Sequence, residues 1–231
     1  GENANEMGQL PNAGFEKYHA AGYDTATSQE PNGWHSFMSS TGSMAGMVSA
    51  AVHTYASSEV RENAAEDNKQ CVKIVSTPVK VGSIVAASAN GTITTGRLKA
   101  GSMTASSKDN CSFLDFSSAD VDANGDPFYA VLNNKPDAMK VWVKFKAGDG
   151  NKNPKATISA LLTNGNMVQD PEDDKYAANI IARANNSSIE SKDEWQEITI
   201  PFTYDNAEEM PKAALVTMST CAVPSGGSKS E

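Results

Sequence analysis

The sequence predicts an all-β protein, a two-sheet antiparallel sandwich, on three observations. Many short segments alternate apolar and polar residues with a period of two, which is the pattern of a strand with one buried face. The connections are rich in Gly, Asn, Asp and Pro, as at 148–151 and 164–166, and these residues favour chain reversal between antiparallel neighbours. Only 44–58 and 59–69 look helical, the first diluted by Gly and Ser and the second short and polar. Many strands with so little helix predict packed sheets.

The clearest predicted strand covers residues 138–146. Its odd positions from Met139 to Phe145 are apolar, whereas its even positions carry lysines and Trp142. This is the pattern of a half-buried antiparallel strand, with Trp142 as the aromatic member of the polar face. A second clear strand, 195–202, has the same alternation and closes on Pro201, which favours a strand end. Seven further segments complete a set of nine candidates: 71–77, 84–89, 93–99, 128–132, 157–163, 180–184 and 213–220.

Composition and charge limit the domain organisation and the partners. The chain has 231 residues, of which 39% are hydrophobic, enough for a sizeable core. We expect a disordered segment at 1–8, one domain at 9–223 and a flexible tail at 224–231. No run approaches the roughly 18 apolar residues that cross a bilayer, so no membrane span is predicted. The net charge of −9, without a block of Lys and Arg, argues against nucleic acid as a partner. The three cysteines are interpreted as small buried apolar residues.

Sequence signatures of catalysis are not found. The chain has no GxSxG, HExxH, GxxxxGK[ST] or GxGxxG motif at a suitable place, and its three histidines, His19, His35 and His53, lie in the first quarter of the chain. A glycosidase would need two carboxylates about 5 to 10 Å apart across a cleft, and 28 acidic residues offer too many pairs to choose among. We therefore predict that the protein is not an enzyme, with a glycoside hydrolase kept as an alternative.

An acidic loop resembles the first half of a calcium-binding loop. Asp120, Asp122, Asn124 and Asp126 alternate around Gly125, and Ca²⁺ prefers several oxygen ligands on alternating residues. The twelfth position is Val131 instead of a bidentate Glu. Two interpretations stay open, namely a solvated turn and a structural calcium site with Asp115 as an additional ligand.

Exposed aromatic side chains indicate where a sugar could bind. The apolar face of a pyranose stacks on an aromatic ring, while its hydroxyls need polar partners. Trp142 is the strongest candidate because of its position on a polar face, and its alternative is ordinary packing under a neighbouring loop. Tyr129, Tyr176 and Arg183 are further ligand-binding candidates in or near polar loops. Trp34 and Trp195 lie beside apolar residues and are expected in the core.

Two motifs near the start of the chain carry a resemblance. The segment 10–16, with the sequence LPNAGFE, and the segment 31–34, with the sequence PNGW, resemble the opening of many jelly-roll carbohydrate-binding modules and galactose-binding-like domains. In those modules the Glu of the first motif often helps to hold a structural calcium ion. The resemblance therefore implies a metal-binding role for Glu16.

Three further segments, 78–89, 137–146 and 195–202, are similar to the putative carbohydrate metabolism domain family of surface lipoproteins from Gram-negative gut anaerobes. The similarity spans most of residues 9–223. It implies a galactose-binding-like jelly roll of two sheets and a periplasmic or outer-membrane surface location. It also implies a lipid anchor on the precursor and a role in glycan utilisation.

Together these observations predict a non-catalytic module that binds a glycan or oligosaccharide. The alternatives are a structural or protein-interaction sandwich of the cell surface and a glycoside hydrolase.

Overall fold

The computed structural model describes residues 10–22 and 28–227, and antiparallel strands form almost all of its regular structure. The helical elements within this part are short: α1 (Ala45–Val48) and two 3-10 helices, Phe37–Ser39 and Asp174–Asn179. In chain order the strands are β1 (Tyr18–Ala20), β2 (Gln29–Pro31), β3 (Thr54–Ser57), β4 (Cys71–Ile74), β5 (Thr77–Val81), β6 (Ile84–Ala89), β7 (Thr92–Thr94), β8 (Arg97–Ala100), β9 (Asn110–Phe113), β10 (Ala138–Val143), β11 (Lys155–Thr163), β12 (Gln169–Asp170), β13 (Ile180–Glu190), β14 (Gln196–Pro201), β15 (Thr203–Tyr204) and β16 (Ala213–Ser219).

A five-stranded antiparallel sheet in the order β15-β13-β11-β16-β7 is the central layer of the fold. Its middle strand β11 pairs with β13 on one side and with β16 on the other. Ile158 and Ala160 point to one face of this sheet, and Leu161 points to the other. All three are buried, as expected for a strand covered on both faces.

The first face of this sheet packs against a second layer made of two separate strand pairs, β3-β4 and β10-β14. Met139, Val141 and Val143 of β10 pack on the same cluster as Ile158 and Val216. The predicted alternation of β10 is therefore confirmed: Met139, Val141 and Val143 face the core, and Lys140 and Trp142 face outward. The buried cluster comprises Trp34, Ile93, Phe145, Ala156, Ile158, Ala160, Ala184, Ile189, Ile200 and Val216.

A three-stranded sheet in the order β12-β9-β8 covers the opposite face of the central sheet. There Leu161 and Leu215 pack against Leu114 and Val168. The second apolar cluster is smaller, and the adjoining surface is polar: Ser112 and Thr217 hydroxyls lie 2.7 Å apart between the two sheets. The predicted all-β antiparallel sandwich is confirmed.

Four predicted strands have a different form in the structure. The segment 71–77 is divided between β4 and the start of β5, and 180–184 is the first part of the longer β13. The segment 93–99 is divided into β7 and β8, because Gly96 passes so close to a neighbour that an added Cβ would lie 2.1 Å from the carbonyl oxygen of Phe113. The segment 128–132 forms isolated bridges, with Phe128 opposite Asp115 and Val131 opposite Ala213. Since its bridge partners belong to different parts of the chain, no continuous ladder forms there.

The weak helical patterns at 44–58 and 59–69 do not form helices over most of their length. Only the four residues of α1 are helical, and Thr54–Ser57 form β3, paired with β4. Gly46 and the serines lower helix propensity in the first segment, and the second has no apolar stripe that a helix could bury. The end of the first segment therefore pairs as β3, and 59–69 is part of the loop that precedes β4.

Three smaller expectations concern the ends of the chain and its cysteines. Residues 1–8 and 228–231 lie outside the described residues, while within 224–227 the Gly226 carbonyl accepts from Asn153 Nδ2 at 3.2 Å and Gly227 N–H donates to Asn90 Oδ1 at 3.2 Å. Cys111 and Cys221 are buried and Cys71 is half-buried. In the described residues no helix has the length and apolar character that a membrane crossing requires.

The packing of β11 gives a direct stability prediction. Ile158→Ala should lower the free energy of unfolding by about 2 to 5 kcal/mol, because it leaves a cavity in the largest core cluster. Ile84→Ala is the matched control, since Ile84 is 71% exposed and the same deletion there should change stability by less than about 0.5 kcal/mol. Urea unfolding of both variants measures the difference, and equal effects would contradict the packing described here.

Candidate functional site

A groove lies in the second layer, where the strand pairs β3-β4 and β10-β14 are not joined by hydrogen bonds in the described part of the sheet. Its walls are 71–76 on one side and 141–146 on the other, and its floor includes Ile158 and Met218 of the central sheet. The cavity volume is about 590 Å³. Small-molecule sites commonly have volumes of about 300 to 1,000 Å³, so the groove is large enough for a short oligosaccharide.

Aromatic side chains surround this groove. Trp142 points outward from β10, is 38% exposed and lines the cavity together with Tyr55 of β3 and Trp195, which directly precedes β14. The predicted outward orientation of Trp142 is confirmed, and Arg61 of the loop 58–70 covers one face of its ring, so the alternative of packing under a neighbouring loop applies to that face. Trp34 is buried in the core as expected. Trp195 was also expected there but is half-buried at the groove, because it lies before the first residue of β14 and does not share the inward and outward alternation of that strand.

The loop 58–70 connects β3 to β4 and contacts the β10 side of the groove through its side chains. Glu59 forms an ion pair with Lys144, and the guanidinium carbon of Arg61 lies 4.5 Å from the ring centroid of Trp142. Glu16 fixes the far end of this loop, since its Oε1 accepts from the backbone N–H of Lys69 at 2.8 Å and of Gln70 at 3.0 Å. The carboxylate that the resemblance assigns to calcium thus holds the groove loop.

The wall opposite Trp142 carries a second pair of ring and cation. Tyr55 and Lys73 are direct cross-strand partners in the register of β3 and β4. Side chains of directly opposed residues share a sheet face, and the Lys73 Nζ lies 5.8 Å from the Tyr55 ring centroid. Both walls therefore present an aromatic ring next to a positive charge.

The acidic loop 120–126 is organised around a buried His–Asp pair. His35 Nε2 lies 2.7 Å from Asp122 Oδ2, and His35 Nδ1 lies 2.7 Å from the Gly96 carbonyl oxygen. Asp122 Oδ1 accepts from the backbone N–H of Asn124 and of Asp126, each at 2.9 Å. Burial by itself would raise the pKa of Asp122, but these hydrogen bonds outweigh it and the pKa lies below its ordinary value.

The remaining predicted calcium ligands have other partners. Arg97 lies 3.3 Å from Asp115 and 3.6 Å from Asp120, and Asn124 Nδ2 donates to Asp126 Oδ2 at 2.8 Å. Among the described residues no three His, Cys, Asp or Glu side chains are grouped as a metal site would require. Calcium binding stays a prediction, and the loop's own hydrogen bonds account for its shape.

The other three ligand-binding candidates lie at separate places. Tyr129 packs on the second core cluster and its ring centroid is 5.0 Å from that of Phe116. Tyr176 belongs to the 3-10 helix Asp174–Asn179. Arg183 on β13 donates from Nε and Nη2 to Glu172 at 2.9 and 2.8 Å and also contacts Asp205. The hydrogen bonds between Arg183 and Glu172 raise the pKa of the guanidinium and lower that of the carboxyl, so this cation is already neutralised.

A second cavity, of about 370 Å³, lies on the other face of the central sheet. Hydroxyl and amide side chains such as Ser159 and Asn185 line it, together with Asp170. Burial raises the pKa of Asp170, while a hydrogen bond from Ser159 opposes that effect. The described lining contains one aromatic residue, Phe37, and so offers a poorer stacking surface than the groove.

Sequence reasoning missed Tyr55, Glu59, Arg61 and Lys73 as members of the groove. Tyr55 and Lys73 become neighbours only through the β3-β4 register, and the loop residues join the groove only through their contacts with β10. The one available signal was the aromatic and polar residues of 54–57 and the single lysine within the apolar segment 71–74.

Comparison with known proteins gives similar solved structures, two of which are described as follows. One, described as a putative glycoside hydrolase from Bacteroides thetaiotaomicron, has a TM-score of 0.58 and 15% identity over 85% of this chain and 59% of that chain. The other, described as a putative glycoside hydrolase from Bacteroides vulgatus, has a TM-score of 0.50 and 14% identity over 77% of this chain and 72% of that chain. At these identities the likeness shows the fold alone.

This chain spans less than two thirds of the first of these structures. No family model and no curated protein matches the chain. Membership of the family that its motifs resemble therefore stays a prediction.

The lowered pKa of Asp122 predicts how acid affects stability. At neutral pH, Asp122→Asn should cost about 3 kcal/mol, because it replaces a buried carboxylate that is hydrogen-bonded to His35 and to two backbone N–H groups. Because the pKa of Asp122 is lower in the folded than in the unfolded protein, its carboxylate stabilises the fold at pH values above the unfolded pKa of about 3.9. This stabilisation is lost as the pH falls through the pKa of the folded state. The stability gap between wild type and Asp122→Asn should therefore narrow below about pH 4.

Thermal unfolding between about pH 7 and pH 2 measures this gap. Asp149→Asn, a substitution at an exposed turn, is the control and should follow the wild type throughout. A gap that is constant over the whole range would show that the Asp122 carboxylate does not stabilise the fold.

Proposed function

We propose that this protein is a non-catalytic carbohydrate-binding module and that the groove between β4 and β10 is its site. The observation that carries the proposal is the outward-facing Trp142 at the edge of a cavity of about 590 Å³, with Tyr55 and Trp195 also in the lining. Aromatic rings of this kind bind the apolar face of a pyranose. A sandwich thereby acquires a binding surface without any change to its core.

The groove also offers polar partners for sugar hydroxyls. Ser57, Glu59 and Lys144 lie in its lining, with a hydroxyl, a carboxylate and an ammonium group respectively. Specific ligand sites typically combine an apolar surface with a few such groups, which fix the orientation of the ligand. The combination suits an amphipathic ligand such as an oligosaccharide.

The charges in the groove support binding rather than hydrolysis. Glu59 is the acidic residue in its described lining, and it is paired with Lys144. Glycosidases of the usual mechanisms use two carboxyl groups, one on each side of the scissile bond. A single, neutralised carboxylate provides an acceptor for hydroxyls but lacks the second member of that pair.

Two further considerations support a carbohydrate-related role. The similar solved structures carry the description of putative glycoside hydrolases. The motifs at 10–16 and 31–34 resemble galactose-binding-like jelly rolls, and in this structure they contact one another: Trp34 Nε1 donates to the Pro11 carbonyl at 2.9 Å. The galactose-binding-like topology, the periplasmic or outer-membrane surface location and a lipid anchor on the precursor are parts of the same proposal.

Substitution of Trp142 tests the site. A panel of plant polysaccharides and host glycans is titrated by calorimetry up to millimolar sugar, and Trp142→Ala should weaken binding at least about tenfold, about 1.4 kcal/mol. Phe116→Ala is the matched control, because Phe116 is 37% exposed against 38% for Trp142 and lies outside the groove lining. It should leave the affinity unchanged.

Three outcomes would contradict the proposal. No binding at millimolar sugar would favour a structural or protein-interaction module. Equal losses in Trp142→Ala and Phe116→Ala would place the site elsewhere. Release of reducing sugar from any bound glycan would show that the protein is a hydrolase.

A further inference from the structure

The charge of the groove is opposite to that of the whole protein. The chain has a net charge of −9, yet the groove lining contains Lys73, Lys144 and Lys146 and one acidic residue, Glu59. Arg61, which lies over the Trp142 ring, adds a further positive charge at the same place. The described lining thus carries an excess of positive charge on an acidic molecule, and acidic side chains border it: Glu197 is the cross-strand partner of Trp142 and pairs with Lys140, and Glu62 follows Arg61.

Two of these cations are available to a ligand. Lys144 is paired with Glu59, and Lys146 Nζ lies 2.6 Å from Asp193 Oδ1. In residues 10–22 and 28–227, no carboxylate lies within 4.0 Å of the charged groups of Arg61 and Lys73. Arg61 Nη1 donates to the backbone carbonyls of Glu62 and Asn63, at 3.3 and 3.2 Å.

The position of these two cations determines what they can recognise. Each lies beside an aromatic ring, Arg61 at 4.5 Å from the Trp142 centroid and Lys73 at 5.8 Å from the Tyr55 centroid. Since each cation lies over one face of its ring, a sugar that stacks on the opposite face reaches the cation with the substituents that extend past the ring edge. A guanidinium forms two parallel hydrogen bonds with a planar carboxylate or with sulfate oxygens, and an ammonium forms charge-assisted hydrogen bonds with both.

We propose, as an extension of the carbohydrate-binding role, that the groove binds acidic oligosaccharides, whose sugars carry carboxylate or sulfate groups. The rest of the surface, with its excess of negative charge, repels such ligands. The attraction is therefore local: exposed charges act over about 10 Å at moderate salt, so only the residues at the groove contribute substantially.

Matched ligand pairs test the proposal. Oligogalacturonide is compared with its fully methyl-esterified form, and a carrageenan oligosaccharide with its desulfated form, by calorimetric titration of the complete chain. The charged member of at least one pair should bind about tenfold more tightly or better, as expected for a charge-assisted contact. The two pairs distinguish carboxylate from sulfate recognition. The preference should shrink as NaCl is raised from about 0.05 to about 0.5 M.

Variants connect the preference with the two cations. Lys73→Gln combined with Arg61→Gln should reduce the preference for the charged member, measured as the ratio of the two affinities within the same variant, to less than about threefold. Lys135→Gln is the matched control, since Lys135 Nζ lies 5.6 Å from the Tyr204 ring centroid, in the same arrangement but outside the groove lining. It should leave the preference unchanged, and thermal unfolding verifies that all variants are folded.

The outcomes separate this inference from the proposed function. Equal affinity for both members of each pair, or binding by neutral glycans of the wider panel alone, overturns the acidic specificity and leaves carbohydrate binding intact. A preference that survives in Lys73→Gln/Arg61→Gln overturns the assignment to these cations. Absence of binding to every glycan tested overturns both proposals.

Discussion

Burial of the aliphatic face of β11 and β16 against β10 and β4 is the interaction on which the rest of the structure depends. Ile158 and Val216 pack against Met139 and Val141 in one cluster, and that contact determines which face of each strand is exposed to solvent. Because side chains alternate with a period of two, a shift of one residue in β10 would bury Lys140 and expose Val141 and Val143. The core therefore also fixes the outward position of Trp142.

The same packing produces the groove. The second layer consists of two strand pairs instead of a continuous sheet, so the central sheet is left partly uncovered between them. The loop 58–70 spans this gap through Glu59 and Arg61, and Glu16 holds the end of the loop. Core and candidate site thus share the same strands, and the site needs no dedicated element apart from that loop.

The sequence predicts the parts of this arrangement that depend on local pattern. The alternation of β10 identified Trp142, and the long strands β11, β14 and β16 were expected within two residues of their observed ends. The division at Gly96 was not predictable, because it results from the close approach of Phe113 in space. Tyr55, Arg61 and Lys73 were missed for the same reason, since their contacts join segments that are remote in the chain or depend on register.

Amide hydrogen exchange with and without a saturating oligosaccharide tests the central claim most directly. The account predicts slower exchange in β4, in β10 and in the loop 58–70, which together surround the groove. Unchanged exchange there, with protection instead around Asp170 in the second cavity or around 120–126, would contradict it.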